Sequence, residues 1–231
     1  MSDGIFVKSE KIQRHISYFL NLTVIGTFFV EFVEGQWFTA FACVLTLFSF
    51  YLPGILAKNL KVRLPLEFKL AISLFLYGCL FLGEIQNFYG LFWWWDTLLH
   101  TVSGVILSFA GFLILLTLYN QRRLEISAFL LSLFSFCFAL ALGALWEIFE
   151  YTMDQSFGLS MQEDGLNDTM LDLIVDALGS LLTAIMGFIY IKFRKSPIGL
   201  FEAMIKGFLS QNRLHRVARK LKIKVKWRSD V

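Results

Sequence analysis

Lys and Arg are confined to alternate connections of this chain, and that segregation constrains its fold more than any motif. Lys8, Lys11 and Arg14 precede the first of six apolar stretches, and Lys58, Lys61, Arg63 and Lys69 fall around the connection between the second and third. Arg122 and Arg123 separate the fourth from the fifth, and the rest of the twenty-one basic residues run from Lys192 to Arg228. The remaining connections carry only acid: Glu31 and Glu34, then Glu84 and Asp96, then the run from Glu147 to Asp176. Cytoplasmic loops retain Lys and Arg during insertion. The pattern therefore predicts an all-α polytopic membrane helix bundle of about six transmembrane helices, with both termini cytoplasmic and a set of carboxylates on the outer face. It places the chain as a multi-pass protein of the plasma (inner) membrane.

Composition leads to the same class by another route. The chain is 57% apolar with 26 Phe and a mean hydropathy of +0.64, above the roughly 45 to 50% apolar content of soluble domains. The net charge of +3 is a small difference between a basic side and an acidic side, so no nucleic-acid partner is expected. Spans are expected at 16–34, 37–57, 68–88, 97–119, 126–150 and 170–193, each near the ~20 residues that cross a ~30 Å hydrocarbon core. Their continuous apolar runs lack the alternation of barrel strands. The first stretch is too long for a signal-peptide core and lacks a small-residue cleavage site, so it is expected to be retained. Trp93, Trp94 and Trp95 fit an interfacial aromatic belt, with a substrate-stacking platform as the alternative.

Domain organisation follows: a six-helix transmembrane domain over residues 1–195 and a cytoplasmic amphipathic and basic tail over 196–231. In that tail Leu200, Phe201, Met204, Ile205, Phe208 and Leu209 form an apolar helical face, expected to lie in the inner interface. The basic run from Arg213 to Arg228 implies attraction to anionic lipid. Membrane lipids are the expected partners, and the sequence does not fix an oligomeric state.

Three spans bring ionisable groups to the acidic side at helical spacing. Asp96 and His100 are four apart, Glu147, Glu150 and Asp154 stand at i, i+3 and i+7, and Asp168, Asp172 and Asp176 repeat every four. Residues so spaced share a helix face. A glycine lies one turn further into the membrane from each deep member: Gly104, Gly143 and Gly179. Small residues let membrane helices approach closely, so the polar faces should meet inside the bundle. An Asp at mid-helix costs roughly 2.5 to 3.5 kcal/mol on insertion scales, and every Lys and Arg lies on the other side. The neutralising partner must be protons, a protonated His100 or a bound cation.

Carboxylates with one imidazole suit a divalent cation such as Ca, Mg, Mn or Zn. The expected metal ligands are Asp96, His100, Glu147, Glu150, Asp168, Asp172 and Asp176. The alternative is that the acids share protons, bond Thr97, Thr101, Ser103 and Thr169, and hold the bundle together. Other chemistries lack their residues: His15 and His215 lie on the opposite side from His100, and neither a nucleophile elbow nor a phosphate-cradling glycine loop is present.

The segments Trp95-Asp96-Thr97-Leu98-Leu99-His100 with Gly104, Leu145-Trp146-Glu147-Ile148-Phe149-Glu150, and Gly165-Leu166-Asn167-Asp168-Thr169-Met170-Leu171-Asp172 with Gly179 resemble the signatures of the YjdF-like family of uncharacterised bacterial inner-membrane proteins. The resemblance covers about residues 70–193 and leaves the first helices and the tail unmatched. Thr101 and Val102 replace an expected aromatic, and Asp176 adds an acid. The resemblance implies the choice of site residues and no reaction.

Three functions fit these residues. The first is an outward-facing acidic and histidine pocket for cation binding or passage. The second is a metal-assisted hydrolase or transferase acting on lipid or cell-envelope substrates, with His100 or Glu150 as general base. The third is a non-catalytic membrane assembly protein whose acids are structural.

Overall fold

The computed structural model describes residues 2–59, 61–120, 127–158, 161–162, 165–193, 198–220 and 222–223, with side chains from Ile12 onward except those of Asn120, Arg216 and Lys220. The side chains of Lys8 and Lys11, the connection bearing Arg122 and Arg123, and the basic run beyond residue 223 lie outside the described residues. Every regular element among them is helical, and six helices are long and apolar enough to cross a membrane. The chain divides into two compact units, Met1–Trp95 and Asp96–Val231.

The first unit holds α1 (Ser2–Val33), α2 (Trp37–Asn59), α3 (Leu66–Leu76) with a π-helical continuation Tyr77–Ile85, and the short α4 (Phe88–Leu91). Its candidate spans are Ile12–Val33, Trp37–Asn59 and Leu66–Ile85. Val24, Cys43 and Phe81 form its buried core, lined by Phe28, Leu47, Phe50 and Tyr77. The π-helical segment widens the backbone, as the bond from the Gln86 amide to the Phe81 carbonyl five residues back shows (2.9 Å). Trp95 donates its indole N–H to the Gly78 carbonyl at 3.2 Å. Asn87, left-handed at φ 56°, ends the span three residues short of the expected boundary at 88. Trp93 and Trp94 are exposed, as a belt requires, whereas Trp95 is partly buried.

The second unit holds α5 (Trp95–Asn120), α6 (Ala128–Phe157), α7 (Leu166–Phe193), α8 (Gly199–Gln211) and α9 (His215–Lys220), with Trp95 itself counted in the first unit. Helix α6 is capped by the Ser127 hydroxyl, which accepts from the Leu130 amide at 3.1 Å. It runs to Gly158, left-handed at φ 67°, two turns past the expected end at residue 150. Helix α7 begins at Leu166 rather than 170, so Asp168 belongs to its first turn. Glycines hold the three long helices together. A Cβ on Gly104 would come within 2.6 Å of the Asp176 carbonyl oxygen, and one on Gly179 would strike the Thr101 carbonyl oxygen. Deeper along the helices the Ser108 hydroxyl donates to the Ser180 carbonyl at 3.1 Å and lies 2.9 Å from the Ser135 hydroxyl.

The tail helix α8 turns much of its apolar face onto its own unit. Phe201, Ile205, Phe208 and Leu209 are buried, and the Phe201 ring packs edge-on against Phe109, Phe112 and Tyr190. Much of the apolar face of α8 is therefore covered by α5 and α7 of its own unit. Leu200 alone of the six stays largely exposed. The aromatic rings at the basic ends of α5 and α7 offer a better-packed surface than fluid acyl chains.

Candidate functional site

At the opposite end of this unit, α5, α6 and α7 each turn one ionisable face inward. His100 is the centre. Its Nδ1 lies 3.4 Å from Asp176 Oδ2 and 3.8 Å from Glu147 Oε1, and its Nε2 lies 3.9 Å from Asp96 Oδ1. One imidazole thus stands between carboxylates from all three helices. His100, Glu147, Asp172 and Asp176 are buried. The Ser103 hydroxyl lies 2.7 Å from both Asp176 Oδ1 and the His100 carbonyl, so its one proton has two acceptors.

Two groups have the spacing to hold an ion. Asp96, His100 and Asp172 each present a ligand atom within 4.8 Å of the others, and so do His100, Glu147 and Glu150. A cation with ligands at ~2.3 to 2.6 Å spans such a set with little side-chain movement. Asp168, in the first turn of α7, stands close enough for its charge to act on Asp96 and Asp172 and is in neither group. Both carboxylate oxygens of Glu147 and both of Asp172 are buried without a hydrogen-bond partner. The Thr169 hydroxyl accepts from the Gln162 amide and approaches Glu147 with its own proton still available to donate. Most buried polar side chains have a partner, and each exception needs a reason.

Glycine also shapes the site. A Cβ on Gly143 would collide with Asp176 Oδ2, so a larger residue there would displace the carboxylate. All three glycines lie at helix contacts, Gly104 and Gly143 against Asp176 of α7 and Gly179 against Thr101 of α5.

Asp154 does something else. Its two oxygens accept from the Met161 and Gln162 amides at 2.8 and 2.9 Å, tying the connection after α6 back onto that helix. The i, i+7 spacing groups it with the acids, yet α6 carries it beyond them to the turn. The deeper hydroxyls, Ser108, Ser135, Ser180 and Thr183, are also buried, and the spacing of the acids does not single them out. A signal for them exists all the same: Ser108 continues the His100 and Gly104 face by another turn, and Ser180 and Thr183 continue that of Asp176.

A helical membrane unit with this polar centre defines a class, and comparison supplies the family. The family model described as a predicted membrane protein (DUF2238) matches residues 13–193. The chain belongs to that family, a multi-pass membrane family without an assigned activity. The match reaches back to residue 13, taking in the first helices that the motif resemblance left out. A protein of Thermotoga maritima named only as uncharacterized is 33% identical over 132 residues, covering 55% of this chain and 65% of that relative, a little under two thirds of its length. No solved structure matches the chain.

Proposed function

We propose that the acidic end of the second unit is an outward-opening site for a divalent cation, held by the carboxylates of Asp96, Glu147, Glu150, Asp172 and Asp176 with the His100 imidazole. One observation carries this reading: four carboxylate oxygens, on Glu147 and Asp172, are buried within reach of a shared histidine and accept no hydrogen bond. Charged carboxylates left so would cost several kcal/mol each. A divalent ion removes that cost by accepting their lone pairs and cancelling their repulsion. Ser103 would fix the orientation of Asp176 from behind, the role of outer partners that orient metal ligands. Binding fits better than passage. Inward of Asp176 the groups lining the helix contacts are neutral hydroxyls already bonded to Ser180 and Val105 carbonyls.

A protonated His100 facing Asp176 and Asp96 is the competing account, and it draws on the same distances. The two separate on metal content and on Asp172→Asn. A cation site predicts a near-stoichiometric metal in detergent-purified protein, a melting temperature lowered by chelator and restored by the ion, and loss of that response in Asp172→Asn. Mass action sets the scale at about 2.7 kcal/mol when the ion stands at a hundred times its dissociation constant. Metal-free protein, indifferent to chelator and stabilised by Asp172→Asn, would leave the acids as proton-sharing groups that specify the bundle.

A further inference from the structure

The first unit carries a second convergence of charge, of the opposite sign. Between α2 and α3 the chain forms an open cleft of about 370 Å3 lined by Lys58, Lys61, Arg63 and Lys69 together with the apolar Ala57, Val62 and Leu64. Among the described residues no carboxylate lines it, and Glu67, the nearest acid in sequence, is not part of its walls. The helix ends do not account for this arrangement. The C-terminus of α2 and the N-terminus of α3 oppose each other in sign, so the side-chain charges decide the potential.

The backbone holds one of these cations at a cost. Val62 donates to the Ala57 carbonyl at 2.9 Å and Lys61 to the Lys58 carbonyl at 3.0 Å, the paired bonds of a Schellman cap. Lys61 stands at the left-handed position of that cap, with φ 55°, where glycine is favoured. Glycine would relieve the backbone and remove a charge from the cleft. A strained residue held in place is grounds for asking what its side chain does.

We infer that this cleft is a binding site for a phosphate-bearing anion, either the headgroup of an anionic membrane lipid or free phosphate. The positive-inside pattern puts the turn between α2 and α3 at the cytoplasmic headgroup level, where basic pockets between membrane helices take lipid phosphates. The apolar lining suits the glycerol and first methylenes of a lipid, and the three lysines match a dispersed anionic charge. The site lies in a different unit from the cation site and does not depend on it.

The test is thermal unfolding of the full chain in phosphatidylcholine nanodiscs, with phosphatidylglycerol added in one arm and inorganic phosphate in the other. The parent should rise in melting temperature with phosphatidylglycerol, less so as salt increases. Lys58→Gln/Lys61→Gln/Lys69→Gln should lose most of that rise, the remainder being the tail's own attraction to anionic lipid, while Lys206→Gln, a basic residue of α8 paired with Glu202, should keep it. A single Lys61→Gly should weaken apparent affinity about fivefold, near 1 kcal/mol per basic residue, while leaving the lipid-free protein at least as stable. That last variant excludes misfolding as the cause of lost binding. An equal rise with inorganic phosphate assigns the site to free phosphate, and a rise with phosphatidylglycerol alone assigns it to lipid. If neither anion shifts the parent, or the loop triple variant responds as the parent does, the inference fails and the lysines act only as an insertion signal.

Discussion

The two units of this chain are both built from helices long and apolar enough to span a membrane, yet they differ at their centres. In the first, Val24, Cys43 and Phe81 meet in an apolar cluster, and Thr46, as deeply buried, bonds the backbone of its own helix. In the second, Asp172, Asp176, Ser108, Ser135, Ser180 and Thr183 are among the most buried residues of the molecule. A membrane gives no hydrophobic reason to bury either set, since acyl chains are as apolar as leucine. The first unit holds mainly by packing. The second brings its helices close enough for hydroxyls to reach carbonyls of neighbouring helices, and that closeness depends on glycine. Polar groups held so tightly on three helices are what a site requires, and an ordinary membrane core does not.

Glycine replacement should show the largest contrast. Gly104→Val and Gly179→Val would drive a side chain into the Asp176 and Thr101 backbone carbonyls, which cannot rotate away. Each should cost about 3 kcal/mol or more, as severe overpacking does. In the first unit a Cβ added at Gly26 or Gly54 would meet nothing within 4 Å. Alanine there should be neutral or stabilise by up to about 1 kcal/mol through helix propensity. Denaturant or detergent unfolding of the four variants checks this. Equal effects in both units would show that the second does not depend on close approach.

Ser103→Ala comes next in size. It removes the hydroxyl from Asp176 Oδ1 and leaves fold and charge count unchanged. On the cation reading, affinity should fall about 10- to 100-fold, the usual cost of losing an orienting partner. Unchanged ion affinity, measured by titration calorimetry on the stripped protein, would detach Ser103 from the site.

Asp154→Ala should be milder and of another kind. Two amide donors at Met161 and Gln162 lose their acceptor, a loss of about 1 to 2 kcal/mol if water only partly replaces it. Hydrogen exchange at those two amides should quicken while ion affinity holds. A fall in affinity as steep as that of Ser103→Ala would add Asp154 to the ligand set.

These residues also show how far the sequence could be read. Span positions follow from hydropathy because the bilayer fixes length, and the three glycines follow from their register with the acids. Helix ends are less visible. Nothing in the run after Glu150 marks how far α6 continues, because its stop is one left-handed residue, Gly158, within a polar stretch. The grouping of Asp154 with the acids fails for the same reason: periodicity gives a face but no depth. The site acids are legible as a set, whereas Ser108, Ser135 and Ser180 are hidden by their ordinariness. A serine or threonine in a membrane helix can bond its own backbone, as Thr46 does with the Ala42 carbonyl at 2.9 Å, and only the fold reveals which ones bond a neighbouring helix. The burial of the α8 face is equally out of reach, since an amphipathic stripe fits lipid and protein alike.

The smallest effect belongs to Tyr77→Phe, and it bears most directly on the contrast between the units. The Tyr77 hydroxyl lies 3.1 Å from Thr23 Oγ1, a side-chain bond between helices of the first unit. Thr23 does not depend on it, because its hydroxyl also lies 2.8 Å from the Leu20 carbonyl. The ring would keep its stacking on Phe81, with centroids 4.8 Å apart, so no cavity opens. Hydrogen bonds between membrane helices average about 0.6 kcal/mol, and the loss should not exceed that. Ser108→Ala should cost more, because it strips the Ser180 carbonyl of a donor where the surrounding side chains are fully buried and water cannot replace it. If Tyr77→Phe proves the costlier of the two, the first unit is held by polar contacts after all, and the division into a packed unit and a polar one collapses.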